Sequence, residues 1–116
     1  MKIRGVVFQT RDEQFVGGDD RPVDVGGIEW PKEGVPIRTD FTVALGWTTK
    51  LWVEEDRLMF EGEIHVMPPD DHWIPCAGTS IGRVTKDRGI ESGELLTIGL
   101  CTANANKNHP PATLIK

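Results

Sequence analysis

Residues 54–66 read EEDRLMFEGEIHV, and this stretch decides the fold class because it joins a turn signal to an alternating strand. Four charged residues at 54–57 separate two β-rich runs, which predicts an antiparallel hairpin between residues 50–53 and 58–66. In the second arm, Leu, Phe, Gly, Ile and Val alternate with Met, Glu, Glu and His. Because successive side chains of a strand point to opposite faces, one face is predicted to be buried and the other solvated.

The rest of the chain repeats short runs of β-forming residues, each bounded by turn formers. Thirteen Gly and eight Pro would interrupt a long helix, and no window carries apolar residues at helical spacing over three turns. The further strands are predicted over residues 3–9, 35–37, 41–45, 48–53, 79–85 and 95–102. Gly46 predicts a bend or bulge, and the paired prolines of MPPDDHWIP predict an interruption of regular structure. This pattern is typical of an all-β sandwich or barrel.

The size and composition of the chain predict one globular domain over residues 1–116. Hydrophobic residues make up 38% and charged residues 27%, which argues against a disordered or fibrous chain. The net charge is −5 without a cluster of Lys and Arg, so no nucleic-acid partner is expected. The apolar runs are far shorter than the roughly 20 residues that span a bilayer. The start, MKIRGVVFQT, lacks the apolar region of a signal peptide, and a soluble protein with no membrane partner is expected.

Two groups of residues have the types that form disulfides or bind metals. Cys76 and Cys101 fit neither a disulfide framework nor a CxxC zinc site, so reduced, partly buried thiols are expected, and a bridge between them stays open. His65 and His72 flank two Asp residues in the loop segment HVMPPDDH. Because metal ligands are normally fixed by the fold, a solvated acidic loop is expected there, with no metal and no cofactor.

Four tryptophans are candidates for a binding surface. Large aromatic side chains usually pack in cores, but they are also enriched at the energetic centres of interfaces. Both interpretations stay open for Trp30, Trp47, Trp52 and Trp73.

Ser80 lies among small residues in GTSIGRV. A serine nucleophile needs a base within hydrogen-bond reach and a group that orients the base. No such partner is evident from the residues alone, which predicts a structural serine.

Taken in order, however, several segments resemble the prohead protease family of tailed phages, serine proteases that trim head proteins during capsid maturation. The similar segments are KIRGVVF, DRPVDVGGIEW, VPIRTDF, ALGWTTKLWVEEDRLMFEGEI, TSIGRVTKDRG and ELLTIGLCTANANKNHPPATLI. VPIRTDF is similar to the strand that leads into the family's catalytic His, and TSIGRVTKDRG is similar to the strand that carries its nucleophile. ELLTIGLCTANANKNHPPATLI resembles its closing strand and turn. The resemblance implies a small, closed or nearly closed antiparallel β-barrel over residues 1–116.

The resemblance also assigns three catalytic positions. Ser80 stands at the family's nucleophile, Phe41 at its catalytic His, and Thr97 at its acidic residue. A phenyl ring accepts no proton, and without a base the serine hydroxyl stays a poor nucleophile. The family's insert before the nucleophile strand is reduced here to HVMPPDDHWIPCAG. These departures imply a pseudo-protease.

The expected function is that of a catalytically inactive phage head protein, a capsid decoration, cement or minor structural protein. Its partner would be the capsid protein, bound in many copies or as a homo-oligomer through an apolar, tryptophan-containing surface. The expected location is the virion head, after assembly in the host cytoplasm. One alternative is an active maturation protease with Ser80 as nucleophile and His65 or His72 as a replacement base. The other is a small phage binding module that inhibits a host protein.

Overall fold

Ten strands and one turn of 3₁₀ helix form the structure of residues 1–9, 13–16, 19–106 and 109–115, the part that the computed structural model describes. The strands are β1 (Lys2–Gln9), β2 (Glu13–Val16), β3 (Asp19–Pro22), β4 (Ile28–Glu29), β5 (Pro36–Thr39), β6 (Val43–Glu54), β7 (Arg57–Ile64), β8 (Ile74–Ile81), β9 (Gly93–Cys101) and β10 (Thr113–Ile115). The 3₁₀ turn, Val25–Gly27, lies between β3 and β4. Strands account for 58% and helix for 3%, which confirms the mostly β prediction with at most one short helix.

The predicted hairpin is formed by β6 and β7. Glu54 pairs with Arg57, and the two residues between them, Glu55 and Asp56, have φ values of 51° and 62°. Positive φ at both central positions defines a type I′ turn, whose twist matches that of the flanking strands. The charged turn and its location were therefore predicted correctly.

The alternation predicted for the second arm is also confirmed within β7. Every second residue from Leu58 to Ile64 is buried, and the residues between them are half-exposed. Val66 was predicted to continue the buried face, but it is 52% exposed. The reason is that β7 ends at Ile64, so the period-2 rule no longer applies two residues later.

Strand β6 covers most of two predicted strands without a break. Its register against β5 shifts by one residue beside Gly46, which confirms the predicted bulge, and its register against β7 shifts between Thr48 and Lys50. A Cβ at Gly46 would lie 1.9 Å from the carbonyl oxygen of Glu63, so this crossing requires glycine. The predicted strand 41–45 begins too early, since Phe41 lies in the turn before β6.

The main sheet has the strand order β10-β1-β7-β6-β5-β9-β4. Strands β5 and β4 pair with one edge of β9, and β8 pairs with its opposite edge. The pairs from β10 to β5 are antiparallel, but β5 and β4 both run parallel to β9. The prediction of a wholly antiparallel sheet is therefore wrong. A parallel pair needs a long crossover, and the chain from β6 to β8 supplies it.

The predicted closure into a barrel is also wrong, because the sheet remains open. Its end strands are β10 and β8, and among the described residues they pair only with β1 and with β9, respectively. β10 has three residues and pairs only along Lys2–Arg4 of β1, which is too short an edge to close the sheet.

Strand β8 differs from its predicted range of 79–85. It begins at Ile74, inside the segment predicted to be irregular, and it ends at Ile81. Pro75 is tolerated because β8 is an edge strand, where a missing N–H need not break a ladder. Strand β9 lies close to its predicted range of 95–102.

One cluster of buried side chains lies against the sheet. Its largest fully buried members are Ile3, Phe8, Ile37, Leu58, Phe60, Ile64, Ile90, Leu95, Ile98 and Leu100. No helix among the described residues is both long enough and apolar enough to cross a membrane.

Candidate functional site

A strained turn places Phe41, the residue that the resemblance aligns with the family's catalytic His. The turn joins β5 to β6, and its residues Asp40 and Phe41 have φ values of 47° and 65°. The left-handed region costs an L-residue with a Cβ about 1–2 kcal/mol. Thr42 closes the turn, because its N–H and its hydroxyl both donate to the carbonyl of Thr39, at 2.8 and 2.9 Å.

The ring of Phe41 rests on the backbones of two glycines, one in β8 and one in β9. A Cβ at Gly99 would lie 2.8 to 3.0 Å from three ring carbons, and a Cβ at Gly78 would lie 3.5 Å from the nearest one. Carbon atoms normally approach to about 3.5–4.0 Å. The ring therefore occupies the space that a side chain on Gly99 would need.

Thr97, which the resemblance aligns with the family's acidic residue, lies beside Gly78. Thr97 in β9 pairs with Gly78 in β8, and a Cβ at Gly78 would lie 2.5 Å from Cγ2 of Thr97. The Thr97 hydroxyl donates to the carbonyl of Pro36 at 3.0 Å. Phe41 and Thr97 therefore both lie next to Gly78.

Ser80 does not join them. It is exposed, lies two residues beyond Gly78 on β8 and follows the shift of register between Gly78 and Thr79. Ser80 pairs with Glu94 and lines a shallow polar recess that also includes Glu29. Of the three positions that the resemblance assigns, Phe41 and Thr97 both lie next to Gly78, and Ser80 lies apart from them.

The histidines, all within the described residues, make their hydrogen bonds away from Ser80. Nε2 of His72 lies 2.9 Å from Oδ2 of Asp40, and its Nδ1 lies 2.6 Å from Oδ1 of Asp71. These carboxylates, Asp71 first, raise the pKa of His72. His65 is exposed next to Trp47. The third, at position 109, is buried and bonds to the carbonyl of residue 6.

The two cysteines, expected to be reduced and partly buried, lie fully buried under the same turn. Cys76 and Cys101 are free, only 1% and 3% exposed, and their side chains hydrogen-bond to each other. This contact raises the pKa of the Cys76 thiol and lowers that of Cys101, because Cys76 keeps the shared proton. Asp40 also hydrogen-bonds to Cys101. Only the register of β8 against β9 brings these residues together, and no local pattern in the sequence specifies that register.

No set of three or more His, Cys, Asp and Glu residues in the described part of the chain is arranged to hold a metal ion. The loop segment HVMPPDDH instead directs His72 to the Asp40 turn and leaves Asp70 exposed.

Three of the four tryptophans are partly buried. Trp30 and Trp73 pack against the core cluster. Trp52 lies under the ammonium of Lys50, 4.6 Å from the ring centroid, and its Nε1 donates to Glu54. These contacts occupy much of the three indoles.

Trp47 differs, because it is 47% exposed. Its Nε1 donates to the carbonyl of Glu33 at 2.8 Å, which fixes the indole at the surface. An open groove beside it is lined by further exposed residues, and we call the exposed set the Trp47 patch: Ala44, Trp47, Thr49, His65 and Val66. Apolar surface of this kind on an ordered strand is suited to contact with another protein.

Comparison of the chain with models of protein families, with curated proteins and with solved structures gave no match.

Proposed function

We propose that this chain is a catalytically inactive, prohead-protease-like head protein of a tailed phage, which binds capsid subunits as a decoration, cement or minor structural protein. The observation that carries the proposal is the packing of the Phe41 ring on Gly99, beside Thr97. An aromatic ring and a hydroxyl stand where the resemblance places a proton acceptor and a carboxylate.

The surroundings of Ser80 support the absence of catalysis. A triad needs the base to contact the nucleophile, yet His72 is engaged by Asp40 and Asp71. The Thr97 hydroxyl donates to the carbonyl of Pro36, whereas the family's acidic residue would accept a hydrogen bond from the base and stabilise its charged form. Recovery of activity would require movement of several elements.

The Trp47 patch supports a contact function. On the same sheet, Arg4 pairs with Glu61, and Glu63 pairs with the terminal amine of Met1, so these charges are neutralised locally. The patch lies beside this paired region and holds an indole with a fixed orientation. Tryptophan in such a position is the residue type that most often dominates interface energy.

The first test is mass spectrometry of purified particles of a phage that carries this gene. We expect the chain in mature particles in many copies, because a decoration or cement protein repeats with the capsid lattice. Its complete absence from particles would argue against the capsid role.

The second test measures binding of the purified chain to capsids assembled without it. Trp47→Ala should weaken binding by roughly 30-fold or more, because hot-spot truncations cost about 2 kcal/mol or more. Trp52→Leu is the matched control, since Trp52 is covered by Lys50 and should leave binding within about threefold. An equal loss of capsid binding in the two variants would show that the Trp47 patch is not the contact surface.

A third test separates the alternatives. A fluorophosphonate probe should not label Ser80; labelling that disappears in Ser80→Ala would instead support an active maturation protease. A soluble 1:1 complex with a host protein, formed without association with particles, would support an inhibitory module.

A further inference from the structure

We propose that Cys76 and Cys101 form a dithiol site that a small disulfide such as oxidised glutathione converts to an intramolecular disulfide between β8 and β9. This inference does not depend on the proposed function.

The register of the strands carries the inference. Cys76 pairs with Gly99, and Cys101 pairs with Ile74, so the two cysteines occupy diagonal positions on adjacent antiparallel strands. Both side chains are buried on the face that Phe41 covers, and an interaction between the two thiols raises the pKa of Cys76. The two sulfur atoms are therefore neighbours in the reduced protein.

Closure of the bond requires a small movement. Diagonal neighbours are about 7–8 Å apart, whereas disulfide-bonded Cα atoms are usually about 4.4–6.8 Å apart. The two strands are already paired, so the diagonal positions come closer by a local shear or twist of β8 along the ladder, and β8 is an edge strand whose ladder in the described structure runs to β9 alone. The required shift is roughly 1–2 Å.

The turn that holds Asp40 and Phe41 covers this site. Asp40 contacts Cys101 and is tied to His72, while the Phe41 ring lies on Gly99, the partner of Cys76. Both turn residues have positive φ, a strained backbone conformation, so the closed position of this cover is maintained at a cost in backbone strain. Opening of this turn gives a small disulfide access to the sulfurs.

The chemistry is a thiol–disulfide exchange in two steps. The Cys101 thiolate, favoured by the hydrogen bond from Cys76, attacks one sulfur of the oxidant, forms a mixed disulfide and releases one small thiolate. Cys76 then loses its proton to solvent and attacks the Cys101 sulfur, which releases the second small thiolate. The two protein thiols are oxidised, and one small disulfide is reduced to two thiols.

The test treats the reduced, folded chain with oxidised glutathione, then alkylates it with a maleimide in denaturant and measures its intact mass. We expect a monomer lighter by two hydrogens with no alkylated thiol, and dithiothreitol should restore both thiols. Cross-linking of the loop between residues 76 and 101 should raise the Tm by roughly 10–15 °C. Cys76→Ser and Cys101→Ser are matched controls, since neither can lose two hydrogens.

Two other end products would overturn the proposal: a stable glutathione adduct or a cross-linked dimer. Persistence of two alkylatable thiols would overturn it as well. For the cover, His72→Gln should speed oxidation about two- to fivefold, the range expected for loss of a partly exposed ion pair. Loss of the imidazolium alone would raise the pKa of Cys101 and slow its attack, so acceleration reports opening. An unchanged or slower rate would overturn the assignment of this turn as the cover.

Discussion

Substitution of Gly99 by Ala tests the position of the Phe41 ring directly. The new methyl carbon would lie 2.8, 2.9 and 3.0 Å from Cζ, Cε1 and Cε2 of Phe41, and these are its three nearest neighbours. Normal contact begins near 3.5 Å, so the ring must retreat by about 0.7 Å. The strained turn limits that retreat, and Gly99→Ala should destabilise the fold by about 1–3 kcal/mol.

The same substitution should be harmless once the ring is gone. In a Phe41→Ala background the three atoms nearest to the methyl group are removed, and the lower entropy of the unfolded chain should make Gly99→Ala neutral or stabilising by up to about 1 kcal/mol. The coupling between the two substitutions should therefore be about 1–4 kcal/mol, above the deviation from additivity of about 0.5 kcal/mol for independent sites. Urea unfolding followed by tryptophan fluorescence gives each free energy by linear extrapolation.

Gly78→Ala is the matched control for this cycle. Its methyl carbon would meet Cγ2 of Thr97 at 2.5 Å but the Phe41 ring only at 3.5 Å. Thr97→Ser removes that methyl group and keeps the hydroxyl that bonds to Pro36, so it should rescue Gly78→Ala, whereas Phe41→Ala should not. Additive effects of Gly99→Ala and Phe41→Ala, within about 0.5 kcal/mol, would refute the packing described here.

Two further predictions concern His72 and the turn between β6 and β7. The pKa of His72 is raised above its ordinary value of 6.5, so its contribution to stability is complete below pH 6.5 and is lost as the pH rises through the pKa of the folded state. The Tm difference between wild type and His72→Gln should therefore shrink from pH 5.5 to pH 9. The lowered pKa of Asp71 acts in the opposite sense, and its contribution is lost in acid; an equal Tm difference at pH 5.5 and pH 9 would contradict this assignment. Glu55→Asn combined with Asp56→Gly should stabilise the type I′ turn by about 0.5–1.5 kcal/mol in urea unfolding, because these residues tolerate positive φ better. A loss of stability would mean that the turn has another conformation.

The parts of the fold that depend on neighbouring residues were predictable from the sequence. The β6–β7 hairpin is specified by a charged turn and an alternating arm, and its strand pairing follows from the turn. The parallel pairing of β5 with β9 joins Ile37 to Ile98, and no local pattern encodes a contact so distant in the sequence. The open edge at β8 has the same origin, because closure depends on which distant strands meet.

The candidate site divides in the same way. Phe41 was assigned to a strand because no glycine marks the turn, and its left-handed conformation is a tertiary override that propensity does not reveal. The contact between Cys76 and Cys101 depends on one register out of several available to β8 and β9. The exposure of Trp47, in contrast with Trp52, also depends on which neighbours cover each indole.

The packing of Phe41 bears on the proposal that this chain is a pseudo-protease. Replacement of a base alone would leave the surrounding backbone unchanged, and an aromatic ring would then meet ordinary side chains. Here the ring lies on Gly99 and beside Gly78, so three separate segments are shaped to accept it. Substitution of Phe41 by His would place a smaller, polar ring over glycine backbone, while Ser80 would still lie two residues beyond Gly78 on β8. Phe41→His alone should therefore produce no fluorophosphonate labelling of Ser80. Labelling in that variant would show that residue 41 and Ser80 are closer than the described geometry allows.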